Sequence, residues 1–293
     1  MLIKENLKEL KTLSVSEQNV ANNILSLGVE IKDMSIRELA KIAYSSTSAV
    51  TRLCNKLGFK GYKDFKEAFL DEEKYLNGYF SKVDANVPFN KDDNLARVCN
   101  SVVHLYEETS NDTLSLIDYQ MLIHAITLLV KAKNIHVICI GVGLEFAKVF
   151  ADRMMRIGKK VIISDNPNFQ YYYAYHACKD DCFIIVSYTG TTQRTKLYFE
   201  KIVSSPASSI LITSVGENSL SKRVDVTLRM TTREKLYSNI GSFSSSVSIM
   251  LIFDLLYSAV FHKDYEQNFN LKKQISKDYE PYRVSSNEVM NEE

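Results

Sequence analysis

Cysteine is scarce and scattered in this 293-residue chain: Cys54, Cys99, Cys139, Cys178 and Cys182 lie mostly within apolar runs. That pattern excludes a disulfide framework and reads as reduced core thiols of a cytoplasmic protein. His176-x-Cys178-x3-Cys182 has no second ligand pair at finger-like spacing, so neither a metal centre nor a cofactor is expected. Net charge is nearly absent, at +1. A signal-peptide pattern is missing as well, because Lys4, Glu5, Lys8, Glu9 and Lys11 interrupt the first residues. No apolar run is long enough to cross a bilayer: residues 247–261 come nearest, contain Asp254, and are expected to form a buried helix. With 45% apolar and 24% charged residues the composition is ordinary for a globular protein, and the length suits two domains.

Against that neutral background, residues 35–66 stand out. Ser35 with Glu38 forms a capping-box signature, and Ile36, Leu39, Ala40 and Ala43 share one helical face. Tyr44 and Ser45 make a tight turn, Ser46 caps a second helix through about Lys56, and Gly58 stops it. Val50, Leu53 and Leu57 point inward there, leaving Thr47, Ser48, Thr51, Arg52, Asn55 and Lys56 on other faces. Two capped helices with a small, hydroxyl-rich start on the second are what a helix-turn-helix needs to enter a major groove. Residues 32–66 hold eight cations against three acids, a local +5, which is the electrostatic footprint of phosphate binding. Expected DNA contacts are Ser46, Thr47, Ser48, Thr51 and Arg52 at base edges or adjacent phosphates, with Lys56, Lys60 and Tyr62 positioning the backbone.

The run Ile36-Arg37-Glu38-Leu39-Ala40-Lys41, then Ser48-Ala49-Val50-Thr51-Arg52-Leu53, then Lys56-Leu57-Gly58-Phe59-x-Gly61-Tyr62-x-x-Phe65-Lys66, resembles the N-terminal domain of the RpiR family of bacterial transcription regulators. Tyr44 and Ser45 stand where the family usually has glycine and a buried aliphatic residue.

From about residue 134 the pattern becomes strand, glycine- or hydroxyl-rich loop, helix. Strands are expected at 135–140, 160–164, 182–186, 209–213 and 224–229, and the continuous apolar runs among them imply a parallel sheet covered by helices on both faces. Helices are expected at 95–111, 118–133 and 171–178, the last two flanking the first strands. Such a sheet binds ligands beyond the carboxyl ends of its strands. Ser187-Tyr188-Thr189-Gly190-Thr191-Thr192 leaves a strand there and enters a helix, combining hydroxyls, a glycine and free N–H groups into an anion cradle. The alternative is a plain capping loop with Thr191 or Thr192 as N-cap.

That loop resembles the S-x-S-G-x-T signature of the SIS (sugar isomerase) domain that RpiR regulators carry, with Thr189 replacing the second serine. The resemblance implies that Ser187, Thr189 and Thr192, with Gly190 and Thr191, hold the phosphate of a phosphosugar. The family's G-x-G-x-S loop is here Gly141-Val142-Gly143-Leu144-Glu145. Glu145 either turns outward, receives a sugar hydroxyl or amino group, or is an acid favoured by the helix dipole. Ser242-Phe243-Ser244-Ser245 resembles a family segment near the sugar, with Ser246 where arginine is common, and Glu234 is placed like an acid near the ligand. Packing is an equal alternative for that segment.

The expected architecture is therefore an all-α helix-turn-helix domain (1–76), a linker and connecting helix (77–110), an α/β SIS domain with a five-stranded parallel sheet in flavodoxin-like order (111–265), and a polar tail (266–293) without an apolar period, expected to lack order from about residue 272. The function implied is a cytoplasmic, homodimeric or homotetrameric regulator binding operator DNA and a phosphosugar effector. A phosphosugar isomerase using Glu145, Glu234, His176 or His262 is the rival from another class. Nucleotide binding at Gly141-x-Gly143 is weaker, since Phe146 fills the third glycine position.

Overall fold

A computed structural model describes residues 3–9, 13–78, 83–216 and 218–291. The chain divides into two compact units, Met1–Glu108 with Val215–Glu217 and Lys235–Ile240, and Thr109–Ser214 with Asn218–Glu234 and Gly241–Glu293.

The first unit is helical: α1 (Ile3–Glu9), α2 (Val15–Leu27), a 3-10 turn over Gly28–Asp33, α3 (Ile36–Ile42), α4 (Thr47–Lys56) and α5 (Tyr62–Gly78), followed by α6 (Leu95–Ser115), which carries residues of both units. Ser14 with Glu17 and Ser35 with Glu38 make complete capping boxes on α2 and α3, and the Ser46 hydroxyl accepts the Ala49 N–H at 3.2 Å on α4. Both helices of the expected pair end in the same double-bonded cap. Ser45 N–H reaches Ala40 O and Tyr44 N–H reaches Lys41 O after α3; Phe59 N–H reaches Cys54 O and Gly58 N–H reaches Asn55 O after α4. This cap requires a left-handed residue, and both positions have it: Gly58 at φ 89° and Tyr44 at φ 47°.

Val20, Ile24, Ile31, Leu39, Val50, Leu53, Cys54, Phe65 and Phe69 form the core of this unit. The family-like tail after α4 is mainly packing: Leu57, Phe59 and Tyr62 close on that core, and Phe59 meets Phe65 edge-on at 5.5 Å. The acids at the end of α5 are structural too. Glu72 accepts the Ile3 and Lys4 backbone N–H groups at 2.6 and 2.9 Å, and Glu73 pairs with Lys4.

The second unit is a five-stranded parallel sheet: β1 (Asn134–Ile138), β2 (Lys160–Ile163), β3 (Asp181–Ser187), β4 (Ser208–Ser214) and β5 (Val226–Met230), in the order β2-β1-β3-β4-β5. On one face, residues of α7 (Tyr119–Lys131), α8 (Gly143–Met155) and α11 (Phe243–Lys263) build the larger core with Val137, Ile184, Ile210 and Leu228. On the other face, α9 (Pro167–Tyr175) and α10 (Gln193–Val203) cover Ile138, Phe183, Ile185 and Leu211. Cys139 and Cys182 are buried in the sheet region, whereas Cys99 and Cys178 are exposed.

Two expectations need correction. The helix expected at 171–178 starts at Pro167, because Asn166 caps it and proline occupies its first turn. The polar tail expected to lack order from about residue 272 is helical in its first part: α12 (Tyr265–Tyr279) follows α11, and Asn268 donates to Phe261 O at 2.9 Å. α11 is 21 residues long and apolar enough to cross a membrane by length and composition, yet Val247, Ile249, Ile252, Phe253, Leu256 and Val260 are buried against the sheet. It is a core helix.

Candidate functional site

In the helical unit, α4 presents Thr47 and Ser48 to solvent at its N-terminal turn, and the Thr51 hydroxyl donates back to Thr47 O at 3.1 Å. Arg52 and Lys56 are more constrained. Both face Glu17, a carboxylate only 1% exposed, with Lys56 Nζ at 2.7 Å and Arg52 Nε at 3.5 Å. The Lys56 hydrogen bond, then the Ser14 backbone N–H, hold the Glu17 pKa down to about 2 from 4.5. Glu17 therefore fixes how α4 displays its two cations. Sequence reading missed this role, although the Ser14-x-x-Glu17 capping pattern marks the residue. Lys66 is also engaged internally, donating to Lys32 O and Met34 O. Lys60 is exposed. The expectation that Tyr62 positions the DNA backbone is corrected: the ring is buried, its hydroxyl donates to Met34 O at 3.3 Å, and burial pushes its pKa up to about 12.

In the α/β unit the chain passes from β1 to β2 on one side of the sheet and to β3 on the other. The switch point thus lies between β1 and β3, and both informative loops leave the carboxyl ends of those two strands. Ser187 ends β3, is buried, and its Oγ accepts the Gly190 N–H at 3.2 Å. Thr189 Oγ1 accepts both the Thr191 N–H (3.2 Å) and the Thr191 hydroxyl (3.0 Å). Each acceptor hydroxyl keeps its own proton to offer to an anion. Thr192 occupies the N-cap position of α10, but its side chain makes no cap bond and it is exposed. A plain capping loop would use that hydroxyl on the helix. Gly190 has φ +63°, and a Cβ there would lie 2.5 Å from the Asn218 amide. Asn218 is a second residue missed from sequence: it donates to Thr213 Oγ1 at 3.0 Å and accepts the Leu220 and Ser221 N–H groups, so it walls the loop rigidly.

Gly141 turns the other loop at φ +65°, and Gly143 opens α8, where a Cβ would meet Cys139 and Ile249 only at ordinary contact distance. Glu145 is exposed and accepts Lys148 Nζ at 2.8 Å, a bond that raises the Lys148 pKa. Of the alternatives left open above, this geometry matches the outward-turned acid.

Glu234 and Ser244 take other roles than the ligand contact expected of them. Glu234 Oε1 accepts the Ser244 N–H at 2.7 Å and Oε2 the Ser245 N–H at 3.2 Å, so the carboxylate caps α11. Ser244 is fully buried and its hydroxyl accepts a bond from Thr109 at 3.0 Å. Among the described residues no three His, Cys, Asp or Glu side chains gather for a metal, and burial pushes the Cys182 thiol up to about 12.

Residues 1–74 match the helix-turn-helix domain of the rpiR family, and residues 128–259 match the SIS domain. The chain belongs to the RpiR family of regulators. An HTH-type transcriptional regulator of Bacillus subtilis, YbbH, is 26% identical over 256 residues, covering 87% of this chain and 88% of the relative. An HTH-type transcriptional regulator of Clostridium perfringens is 24% identical, with 80% and 82% covered. Among solved structures, the Vibrio vulnificus NanR protein complexed with ManNAc-6P superposes with TM-score 0.61 at 22% identity, covering 96% of this RpiR-family chain and 99% of NanR. The sugar isomerase domain of an RpiR transcription factor from Sphaerobacter thermophilus gives 0.55 at 15% identity, over 62% and 99%. At these identities the two structures support the fold.

Proposed function

We propose that this protein is a cytoplasmic DNA-binding transcription regulator whose α/β unit senses a phosphosugar and thereby shifts the population of a homodimer able to hold operator DNA. The observation that carries the sensing half is the 187–192 loop. It offers three hydroxyls, one of them an N-cap side chain that leaves its helix uncapped, around a left-handed glycine at the sheet's switch point. The DNA-reading half rests on the exposed Thr47 and Ser48 at the start of α4 and on the cations beside them. A dimer suits such a reader because two half-sites supply affinity that one helix lacks. Catalysis is not proposed. Isomerisation needs a base free to move a proton beside the substrate, while Glu145 is paired with Lys148, Glu234 caps α11, and His176 and His262 sit at the C-terminal ends of α9 and α11 and belong to neither ligand loop.

The test is a thermal-shift panel of phosphosugars, including N-acetylmannosamine 6-phosphate, beside the same sugars without phosphate. A ligand at 100 times its dissociation constant stabilises by about 2.7 kcal/mol. The reading stands if a phosphorylated sugar raises the melting temperature, its free sugar does not, and Thr192→Ala removes the shift. It fails if free and phosphorylated sugars behave alike. For the DNA half, duplexes selected from a random pool should carry two symmetric half-sites, and Ser48→Ala should relax the selected sequence.

A further inference from the structure

Between the two ligand-loop hydroxyls of Ser187 and Thr189 sits Tyr188, whose hydroxyl lies outside the cradle. It donates to Glu234 O at 2.9 Å and accepts the Glu234 N–H at 3.2 Å, bracketing the backbone of a single residue. That residue is the one whose carboxylate caps α11 through Ser244 and Ser245. The first turns of α11 then bond to α6: Thr109 donates to the Ser244 hydroxyl at 3.0 Å, and Thr113 donates to the Ser248 hydroxyl at 2.8 Å. Ser248 also accepts the Thr231 N–H at 3.1 Å, and the Thr231 hydroxyl bonds Asp112. Thr109, Asp112, Thr113, Thr231, Ser244 and Ser248 are all buried. A hydrogen bond in such surroundings cannot be exchanged freely for water, so a displacement at one end is passed on or resisted.

We propose that Tyr188 and Glu234 are positioning residues that transmit occupancy of the hydroxyl loop to the N-terminus of α11 and, through the Ser244–Thr109 and Ser248–Thr113 bonds, to the end of α6. The inference rests on the sensing function proposed above. An anion held by Ser187, Thr189 and Thr192 draws their hydroxyls toward itself and tightens the loop around Gly190. Tyr188, fixed between them, carries that movement to both backbone groups of Glu234. The carboxylate of Glu234 follows its backbone, and its hold on two α11 N–H groups changes.

Hydrogen exchange of the full-length protein tests this, with inorganic phosphate as the probe shared by all phosphosugars. In the wild type, phosphate should slow exchange in three places: the 187–192 loop, the first turns of α11, and the 109–115 end of α6. In Tyr188→Phe, which keeps the ring and removes only the hydroxyl, the loop response should persist while the α11 and α6 responses are lost. Exchange at Ser244 and Ser245 without phosphate should rise about fivefold, the rate equivalent of one net hydrogen bond. Thr109→Val gives the complementary variant, with α11 still responding and the α6 response reduced to what the remaining Thr113–Ser248 bond passes on. The proposal is overturned if Tyr188→Phe responds at α11 as the wild type does, or if the wild type responds at the loop alone. Absence of any response at the wild-type loop, to phosphate and to the phosphosugar panel alike, removes the sensing function itself, and this inference with it.

Discussion

Tyr44 offers a measurable contrast because the same cap occurs twice within fifteen residues, once with glycine and once with tyrosine. An L-residue in the left-handed region costs about 1–2 kcal/mol. Nothing in the fold offsets that at Tyr44, whose side chain is 94% exposed. Replacing it with glycine relieves the strain but restores chain entropy to the unfolded state, a loss of about 0.4–1 kcal/mol. The net gain for Tyr44→Gly is therefore about 0.5–1 kcal/mol, and for a domain of this size the melting temperature rises by roughly 2–8 °C. Tyr44→Ala keeps the strain and loses an exposed ring, so it stays within about 0.5 kcal/mol of wild type. Native-state hydrogen exchange isolates the helical unit: protection at Leu39, Val50 and Leu53 should increase about two- to fivefold in Tyr44→Gly and remain unchanged in Tyr44→Ala. Equal protection in the two variants would refute the account, since only the backbone preference separates them.

Further expectations concern the two sites. Glu17→Gln should lower stability at pH 7 by roughly 1–3 kcal/mol. Because the folded-state pKa of Glu17 is depressed to about 2 from 4.5, its contribution is complete above the higher value and lost as pH falls through the lower one; the gap between variant and wild type, followed by urea denaturation, should close over that window. Gly190→Ala combines a disfavoured φ with a Cβ 2.5 Å from Asn218, so it should destabilise by about 2 kcal/mol or more in calorimetry and abolish any phosphosugar shift. Glu145→Ser should change stability by less than about 0.5 kcal/mol, since the Lys148 pair is exposed, yet tighten phosphosugar binding through loss of a nearby negative charge, read by titration calorimetry. Phe65→Ala should cost about 3–5 kcal/mol by chemical denaturation, since Phe65 is fully buried in the core of the helical unit.

The helix pair and the sheet were legible because their signals are local. Ser35 with Glu38, Ser46, Gly58 and the short apolar strand segments each specify an element within a few residues. The roles of Ser244 and Glu234 were not, because α11 is apolar nearly all round and periodicity cannot say which way a serine faces. The partner that decides it, Thr109, lies 135 residues away in sequence. Tyr62 was misread for a related reason: it follows a basic helix, but Phe65 and Phe69 at helical spacing place it on the buried face of α5. Glu17 carried a readable cap signature, whereas its pairing with Lys56, 39 residues on, exists only in the folded unit. α12 shows little apolar period because Asn268 alone among its residues is buried.

The distribution of thiols makes the protein its own reporter of opening. Cys99 and Cys178 lie at the surface and should be labelled at once by an alkylating reagent. Cys54, Cys139 and Cys182 have burial-raised pKa values of about 12 and sit inside closed cores, the first in the helical unit and the others in the sheet unit. Mass-resolved labelling over time would thus give two separate clocks, with Cys54 timing the opening of the helical unit and Cys139 and Cys182 timing the sheet unit. An effector that stiffens the sheet alone would slow one clock, and one that reaches the helices would slow both.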